Sequence, residues 1–218
     1  MLTLGILIAV LVGYLLGSIP TGYVVARAKG VDIRSAGSGN IGATNVFRIL
    51  GTPAGILVLL VDAAKGWIAV LIGMRMIWPW IAPDVVTGTA EWLGVAAGVA
   101  AVLGHNYTFW LGFKGGKGIA TSAGVLAGLV PLALLVALGV WIAVVVLSRY
   151  VSLASILGAF VLPFAVWFWR YSTLMITITA LLAAMAIYKH KSNIQRLLKG
   201  TENRVGKKKK PATGSHAP

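Results

Sequence analysis

Residues 119–147 read IATSAGVLAGLVPLALLVALGVWIAVVVL, 29 residues without one charged side chain, interrupted by Pro131. A membrane-spanning helix needs about 20 mostly apolar residues, so this run is too long for one ordinary crossing. We read it as two short segments broken at Pro131, with a single tilted helix kinked there as the alternative. The choice matters because Lys114 and Lys117 precede the run and a strongly basic segment follows from Lys189. If both basic regions face the cytoplasm, an even number of crossings must separate them. The break supplies it, together with apolar runs at 151–169 and 172–188.

Outward from that stretch the rest of the chain reads the same way. Of its 218 residues 58% are hydrophobic and only 11% charged, where a soluble domain carries about 25%; the mean hydropathy is +0.89. Further apolar runs lie at 2–25, 53–77 and from about 91 to 103 or beyond, the last short enough to imply shielding by protein rather than lipid. The fold class expected is all-α: a polytopic integral membrane helical bundle of about seven transmembrane helices. Arg27, Lys29 and Arg34 after the first run place the N-terminus outside and the C-terminus in the cytoplasm. The first run lacks a preceding positive charge and reads as a retained helix rather than a signal peptide. Trp78, Trp80 and the acidic Asp84 suit an outer loop. Residues 1–206 form the membrane-embedded domain, and residues 207–218, with the run Lys207 to Lys210, read as a basic disordered tail.

Cysteine is absent, which excludes disulfides, thiolate metal sites and thiol nucleophiles. No metal site or cofactor is expected. The 19 Lys and Arg exceed the 5 Asp and Glu by 14 charges. These cations abut apolar spans, so they suit topology and anionic lipid and disfavour nucleic acid; no obligate protein partner is evident.

Function should sit in three polar islands on the cytoplasmic side. The first, GSGNIGATNVFR at 37–48, contains a formal GxGxxG at Gly37, Gly39 and Gly42, with Asp62 twenty residues on. A dinucleotide site needs a strand feeding a helix beside a parallel sheet, and membrane helices flank this one. What survives is local: glycines let backbone N–H groups converge on an anion, while Ser38, Asn40, Thr44 and Asn45 add neutral donors and Arg48 a planar fork for phosphate. The second, GHNYTFWLGFKGGKG at 104–118, offers Lys114 and Lys117 around Gly115 and Gly116. It is not a Walker A loop, because Gly118 stands where Ser or Thr is required. His105 and Asn106 are candidate substrate contacts there, with an interfacial histidine making helix contacts as the alternative. His105 and His190 are followed five residues on by Trp110 and Gln195, so neither forms a local His-x4-Asp base–orienter pair. The third, HKSNIQRLLKGTENRVG at 190–206, puts His190 and Asn193 on one helix face; a basic amphipathic helix on anionic lipid is the alternative. Within the second apolar run, Asp62 and Lys65 at i, i+3 read as a structural ion pair.

Taken in order and spacing, these three segments resemble the signature motifs of the bacterial acyl-phosphate:glycerol-3-phosphate acyltransferases, over about residues 2–206. The resemblance implies a seven-helix inner-membrane enzyme, its active site facing the cytoplasm. It implies transfer of a fatty acyl group from acyl phosphate to the 1-hydroxyl of glycerol 3-phosphate, giving lysophosphatidic acid and inorganic phosphate. Carried over residue by residue, it marks Ser38, Arg48, Lys117, His190, Asn193 and Glu202, with Ser155 in RYVSLAS (149–155) as a further contact. The catalytic base is left open between His190 and a phosphate oxygen of the substrate. An anion transporter and a non-catalytic lipid anchor are the competing classes. A transporter would place its site near the midplane between paired repeats, and an anchor would leave the first two islands unexplained.

Overall fold

The computed structural model describes residues 2–77 and 89–206. Trp78, Trp80, Asp84 and the tail 207–218 lie outside the described residues. Among those described, the regular structure is entirely helical.

The first helix, α1 (Leu2–Ser18), shows how the bundle is held. Its buried positions include Gly5, Ala9, Gly13 and Gly17, one every four residues and therefore on one face. That face lies on α5 (Thr89–Asn106), where Leu93, Ala97 and Ala101 complete the contact. A Cβ on Gly13 would run into the Ala97 carbonyl, and one on Gly17 into that of Ala101. Lipid offers apolar side chains no incentive to leave it, so helices in membranes associate through close backbone packing at such small residues. Leu4, Leu7, Leu11 and Leu15 point outward and are exposed.

Pro20 interrupts α1 before α2 (Thr21–Arg27). The chain then crosses the first polar island to α3 (Ala43–Leu50), turns at Gly51 with φ +85°, and enters α4 (Thr52–Leu71) with Pro53 in its first turn. A π-helical segment, Ile72–Ile77, extends α4. After α5, a single 3₁₀ turn (Phe109–Leu111) and the second island lead into α6 (Ile119–Leu129). Helices α4 and α6 also pack backbone to backbone, with Gly66 against the Thr121 carbonyl and Gly124 against that of Ala63.

Val130, with φ −141° and ψ 60°, breaks the long apolar run, and α7 (Pro131–Ser148) starts at the proline. Two separate helices thus form where the sequence allowed one kinked helix. Helices α8 (Val151–Phe168) and α9 (Thr173–Lys189) complete the bundle, and α10 (Lys191–Leu198) turns 57° away from α9. Val95, Leu126, Val130, Leu162 and Val166 join α5 through α8 into one core. Ile33, Ile41, Val46 and Val58 form another beneath the first island.

Leu2–Arg27, Thr52–Arg75, Pro131–Ser148 and Val151–Phe168 are long and apolar enough to cross a bilayer, and α9 with α10 makes a fifth if its bend is included. The span expected from about 91 to 103 or beyond is a helix from Thr89 through Asn106, 18 residues; Gly104 fits against the Tyr14 carbonyl and Ser18 and lets the helix continue to a buried His105. At about 1.5 Å per residue, the 11-residue α6 reaches only about half the ~30 Å hydrocarbon thickness.

Gly17→Leu should force α1 off α5 and destabilise the protein by roughly 1–3 kcal/mol or more. Leu15→Ala, on the outward face, should leave the thermal unfolding midpoint in detergent almost unchanged.

Candidate active site

The three polar islands, each more than 50 residues from the next in the chain, meet at one end of the bundle. Ser38, Gly39 and Asn40 from the first, Lys117 from the second, and Ser192 and Arg196 from α10 line one cleft of about 130 Å³.

The first wall is organised by Asn45. Buried in the first turn of α3, it donates its amide N–H groups to the Ala36 and Asn40 carbonyls at 3.0 and 2.9 Å. Its Oδ1 accepts the Ser38 backbone N–H at 2.9 Å and Arg48 at 3.3 Å. Gly37 and Gly39 adopt φ +62° and +70°, the left-handed region that glycine enters freely. A Cβ on Gly37 would strike Asn45 Oδ1. Asn40 Oδ1 accepts the Gly42 N–H at 2.8 Å. Asn45 thus holds the loop in place, while Ser38 stays exposed at the cleft.

The opposite wall is organised by Glu202. Its Oε1 accepts Ser152 Oγ at 3.1 Å and Asn193 Nδ2 at 2.9 Å, and its Oε2 accepts Arg196 Nε at 2.7 Å. Asn193 in turn accepts the Lys117 ammonium through Oδ1. The Val205 N–H donates to the Arg149 carbonyl, and the Arg204 guanidinium lies over the Tyr150 ring at 4.8 Å. The segment after α10 is thereby strapped across the start of α8.

Burial pushes the Lys117 ammonium down to about 8; Glu202 opposes this, and Arg196, Arg48 and Lys189 add to it. His190, buried at the α9–α10 bend, is likewise lowered to about 4 by burial and then by Lys117. Its Nδ1 lies 2.7 Å from the Ala186 carbonyl. A carbonyl only accepts, so Nδ1 carries the proton and the neutral ring presents Nε2 as an acceptor.

Several expected residues stand elsewhere. Thr44 and Lys114 are exposed outside the cleft lining. Gly115 and Gly116 support the Lys117 loop from within, their N–H groups donating to the Asn106 and His105 carbonyls at 3.2 and 3.0 Å. His105 and Asn106 are buried beneath that loop. His105 Nδ1 lies 2.9 Å from the Lys65 ammonium, which is 2.8 Å from Asp62 Oδ1, so the expected ion pair has acquired a third member. Ser155 lines a separate apolar groove of about 80 Å³ between α6, α7, α8 and α9, with Leu126, Ala137, Trp141 and Leu162. Its Oγ accepts the Trp141 indole N–H at 3.2 Å.

Sequence reasoning missed Arg196, Ser192 and Ser152. The spacing carried a signal for the first, since Arg196 follows Asn193 by three residues and so shares its helix face. Ser192 and Arg196, four apart, also coincide. Ser152 depends on a contact 50 residues away and left no local signal.

Comparison with known proteins places this helical bundle, with its basic cleft at one end and its apolar groove, among the integral membrane acyltransferases. The family model described as glycerol-3-phosphate acyltransferase matches residues 7–200. Among similar proteins, the glycerol-3-phosphate acyltransferases of Geotalea daltonii and Geobacter sulfurreducens are each 48% identical, covering 90% and 91% of this chain and 96% of their own length. The crystal structure of PlsY (YgiH), an integral membrane glycerol 3-phosphate acyltransferase, in its glycerol 3-phosphate form, is 41% identical. It superposes with a TM-score of 0.82 over 92% of this chain and 96% of that one. The same protein in its lysophosphatidic acid form gives 0.80. The chain belongs to the glycerol-3-phosphate acyltransferase family.

Asn45→Asp should remove the hydrogen bonds donated by the amide and leave the Ile33, Ala36 and Asn40 carbonyls facing a carboxylate. A loss of about 1–3 kcal/mol in stability for each stranded group, with a matching loss of acyl transfer, is expected from thermal unfolding and turnover measured side by side.

Proposed function

We propose that this enzyme acylates the 1-hydroxyl of glycerol 3-phosphate from acyl phosphate, releasing lysophosphatidic acid and inorganic phosphate as the first acylation of phospholipid synthesis. The observation that carries this reading is the cleft, where Lys117 and Arg196, with Arg48 close by, face the Ser38–Asn40 backbone and are balanced, among the described residues, by Glu202. Both substrates are anionic, and guanidinium forks and an ammonium are the groups that hold phosphate.

In this reading Lys117, Arg48 and Arg196 bind phosphate, and Asn193 and Glu202 fix two of those cations. Ser38 and neighbouring N–H groups hold the acyl carbonyl or the leaving phosphate. An acyl phosphate is a mixed anhydride with a good leaving group, so no covalent acyl-enzyme is required. The 1-hydroxyl oxygen attacks the carbonyl carbon, the bond from that carbon to phosphate oxygen breaks, and the hydroxyl proton must be accepted. Proximity and stabilisation of developing negative charge supply the rate. His190, lowered to about 4, is a poor proton acceptor at neutral pH. The phosphate oxygen that gains charge as the bond breaks takes the proton, and His190 Nε2 serves as a hydrogen-bond acceptor.

The acyl chain is assigned to the apolar groove, whose lining stands close in sequence to groups of the cleft: Ile119 follows Lys117 by two residues, and Ser155 lies one turn beyond Ser152, which holds Glu202. The donor can therefore enter from the bilayer. The polar islands face the cytoplasm of a bacterial inner membrane, with the N-terminus outside. Counting α5, and α6 as a half-length segment shielded by its neighbours, the crossings come to seven.

Purified protein given palmitoyl phosphate should release phosphate only when glycerol 3-phosphate is present, with lysophosphatidic acid as co-product. Release independent of glycerol 3-phosphate would contradict the reading. Ser38→Ala and Arg48→Ala should each lower turnover by about 10²-fold or more while still inserting and folding.

Lys117 supplies a pH test. Its charge is present below its value of about 8 and is lost above it. The kcat/KM for glycerol 3-phosphate, which follows the free enzyme, should fall about tenfold from pH 7 to pH 9. Lys117→Arg stays charged throughout and should flatten that alkaline limb.

A further inference from the structure

Asp62, Lys65 and His105 are buried together in the bundle, with residual exposures of 2%, 4% and 5%. The Lys65 ammonium has three partners. It donates to the Ile19 carbonyl at 3.0 Å, at the break between α1 and α2, and it lies 2.8 Å from Asp62 Oδ1 and 2.9 Å from His105 Nδ1. An ammonium only donates, so Nδ1 is the acceptor and the imidazole proton sits on Nε2. That Nε2 edge lies directly under Gly116: any Cβ added there would collide with it. Gly115 and Gly116 donate to the Asn106 and His105 carbonyls, and Lys189 donates to the Asn106 carbonyl at 3.2 Å. The strand of loop that ends in Lys117 is thus seated on the His105 ring and on the last carbonyls of α5.

Stability alone does not account for this cluster. Removing charges from water is costly, and well-packed apolar residues of similar volume in place of a buried ion pair are often neutral or stabilising. The buried side-chain oxygens Ser18 Oγ, Thr21 Oγ1, Asn106 Oδ1 and Thr121 Oγ1, on the surrounding helices, also have no hydrogen-bond partner among the described residues. The cluster does have a rigid connection to the cleft. Lys65 fixes the imidazole, the imidazole fixes Gly116, and Gly116 precedes Lys117.

The geometry points to Asp62, Lys65 and His105 as positioning residues for acyl transfer: they set where the Lys117 ammonium stands and do not touch substrate. His105 thereby acts from beneath the phosphate loop instead of contacting the substrate as its motif suggested. The assignment rests on Lys117 as a phosphate ligand, the reading given above.

The test is a double-mutant cycle. His105→Ala and Lys65→Met are each made with Lys117 intact and with Lys117→Ala, and kinetics are referred to protein that is monodisperse and shows cooperative thermal unfolding. With Lys117 intact, each should raise the KM for glycerol 3-phosphate about tenfold with little change in kcat, as a displaced binding group does. In Lys117→Ala, the same changes should raise KM no further. An equal rise in both backgrounds would overturn the inference, as would folded variants with a lowered melting temperature and an unaltered KM. If Lys65→Met does not fold, His105→Asn carries the test, since its amide oxygen still accepts from Lys65 while the ring edge under Gly116 is gone. Lys117→Ala alone, if it left KM unchanged, would refute the phosphate-ligand reading itself and the positioning role with it.

Discussion

Positive charges repel, and the cleft depends on overcoming that repulsion. Lys117 and Arg196 line it, with Arg48 and Lys189 near enough to lower the Lys117 ammonium further. Glu202 makes their convergence tolerable. Both of its oxygens are engaged: Arg196 takes one, and Ser152 and Asn193 take the other. Because Asn193 passes the contact on to Lys117, one carboxylate organises cations from two separate segments and ties α10 to α8. Its charge offsets only part of theirs, so the cleft keeps a positive surplus for anionic substrates. The carboxylate is nearly buried while Arg196 remains partly exposed, so Arg196 can turn a donor toward a ligand without abandoning Glu202.

The helices that carry these groups are held by another constraint. In lipid, apolar side chains gain nothing by leaving the tails, so the bundle is assembled where backbones approach closely. The contacts of Gly13 and Gly17 with α5, and of Gly66 and Gly124 across α4 and α6, do this at the positions that matter for the cleft. Helix α5 ends at the carbonyls that seat the Gly115–Gly116 loop, and α6 begins two residues after Lys117. Close packing thereby becomes precision in the placement of one ammonium.

These particulars explain what could be read from the sequence. The Pro131 break was legible because proline cannot continue the hydrogen-bond ladder behind it. The Asp62–Lys65 pair was legible because three residues is one helical turn. The glycine pattern at 37–42 was half legible: Gly37 and Gly39 do take positive φ, whereas Gly42 has φ −76° and serves as the cap of α3. His105 was not legible as the third member of an ion cluster, because its partner stands 40 residues away on another helix. Asn45 was grouped with Ser38 and Asn40 as a donor toward ligand, yet its amide is spent inward on the loop's own carbonyls. Local pattern tells which side chains are polar and which share a face. It does not tell whether a polar group faces a substrate or holds up a neighbour that does.

The same distinction bears on why this chemistry sits at a membrane surface. The polar cleft is lined by two loops and α10, and the apolar groove by α6, α7, α8 and α9, yet neighbouring residues of the chain serve the two. Ser152 binds Glu202, and Ser155, one turn further, faces the groove; Lys117 faces the cleft, and Ile119 lines the groove. Ala186 lines the groove with its side chain while its carbonyl fixes the His190 ring. A molecule with an anionic head and a long apolar chain could satisfy both environments at once only by placing the junction between head and chain at this seam. For an acyl phosphate that junction is the carbonyl carbon. In the proposed reaction the position of that seam, set by helix periodicity and by where the glycines let α4, α5 and α6 meet, would determine which bond of such a molecule is brought to the cations.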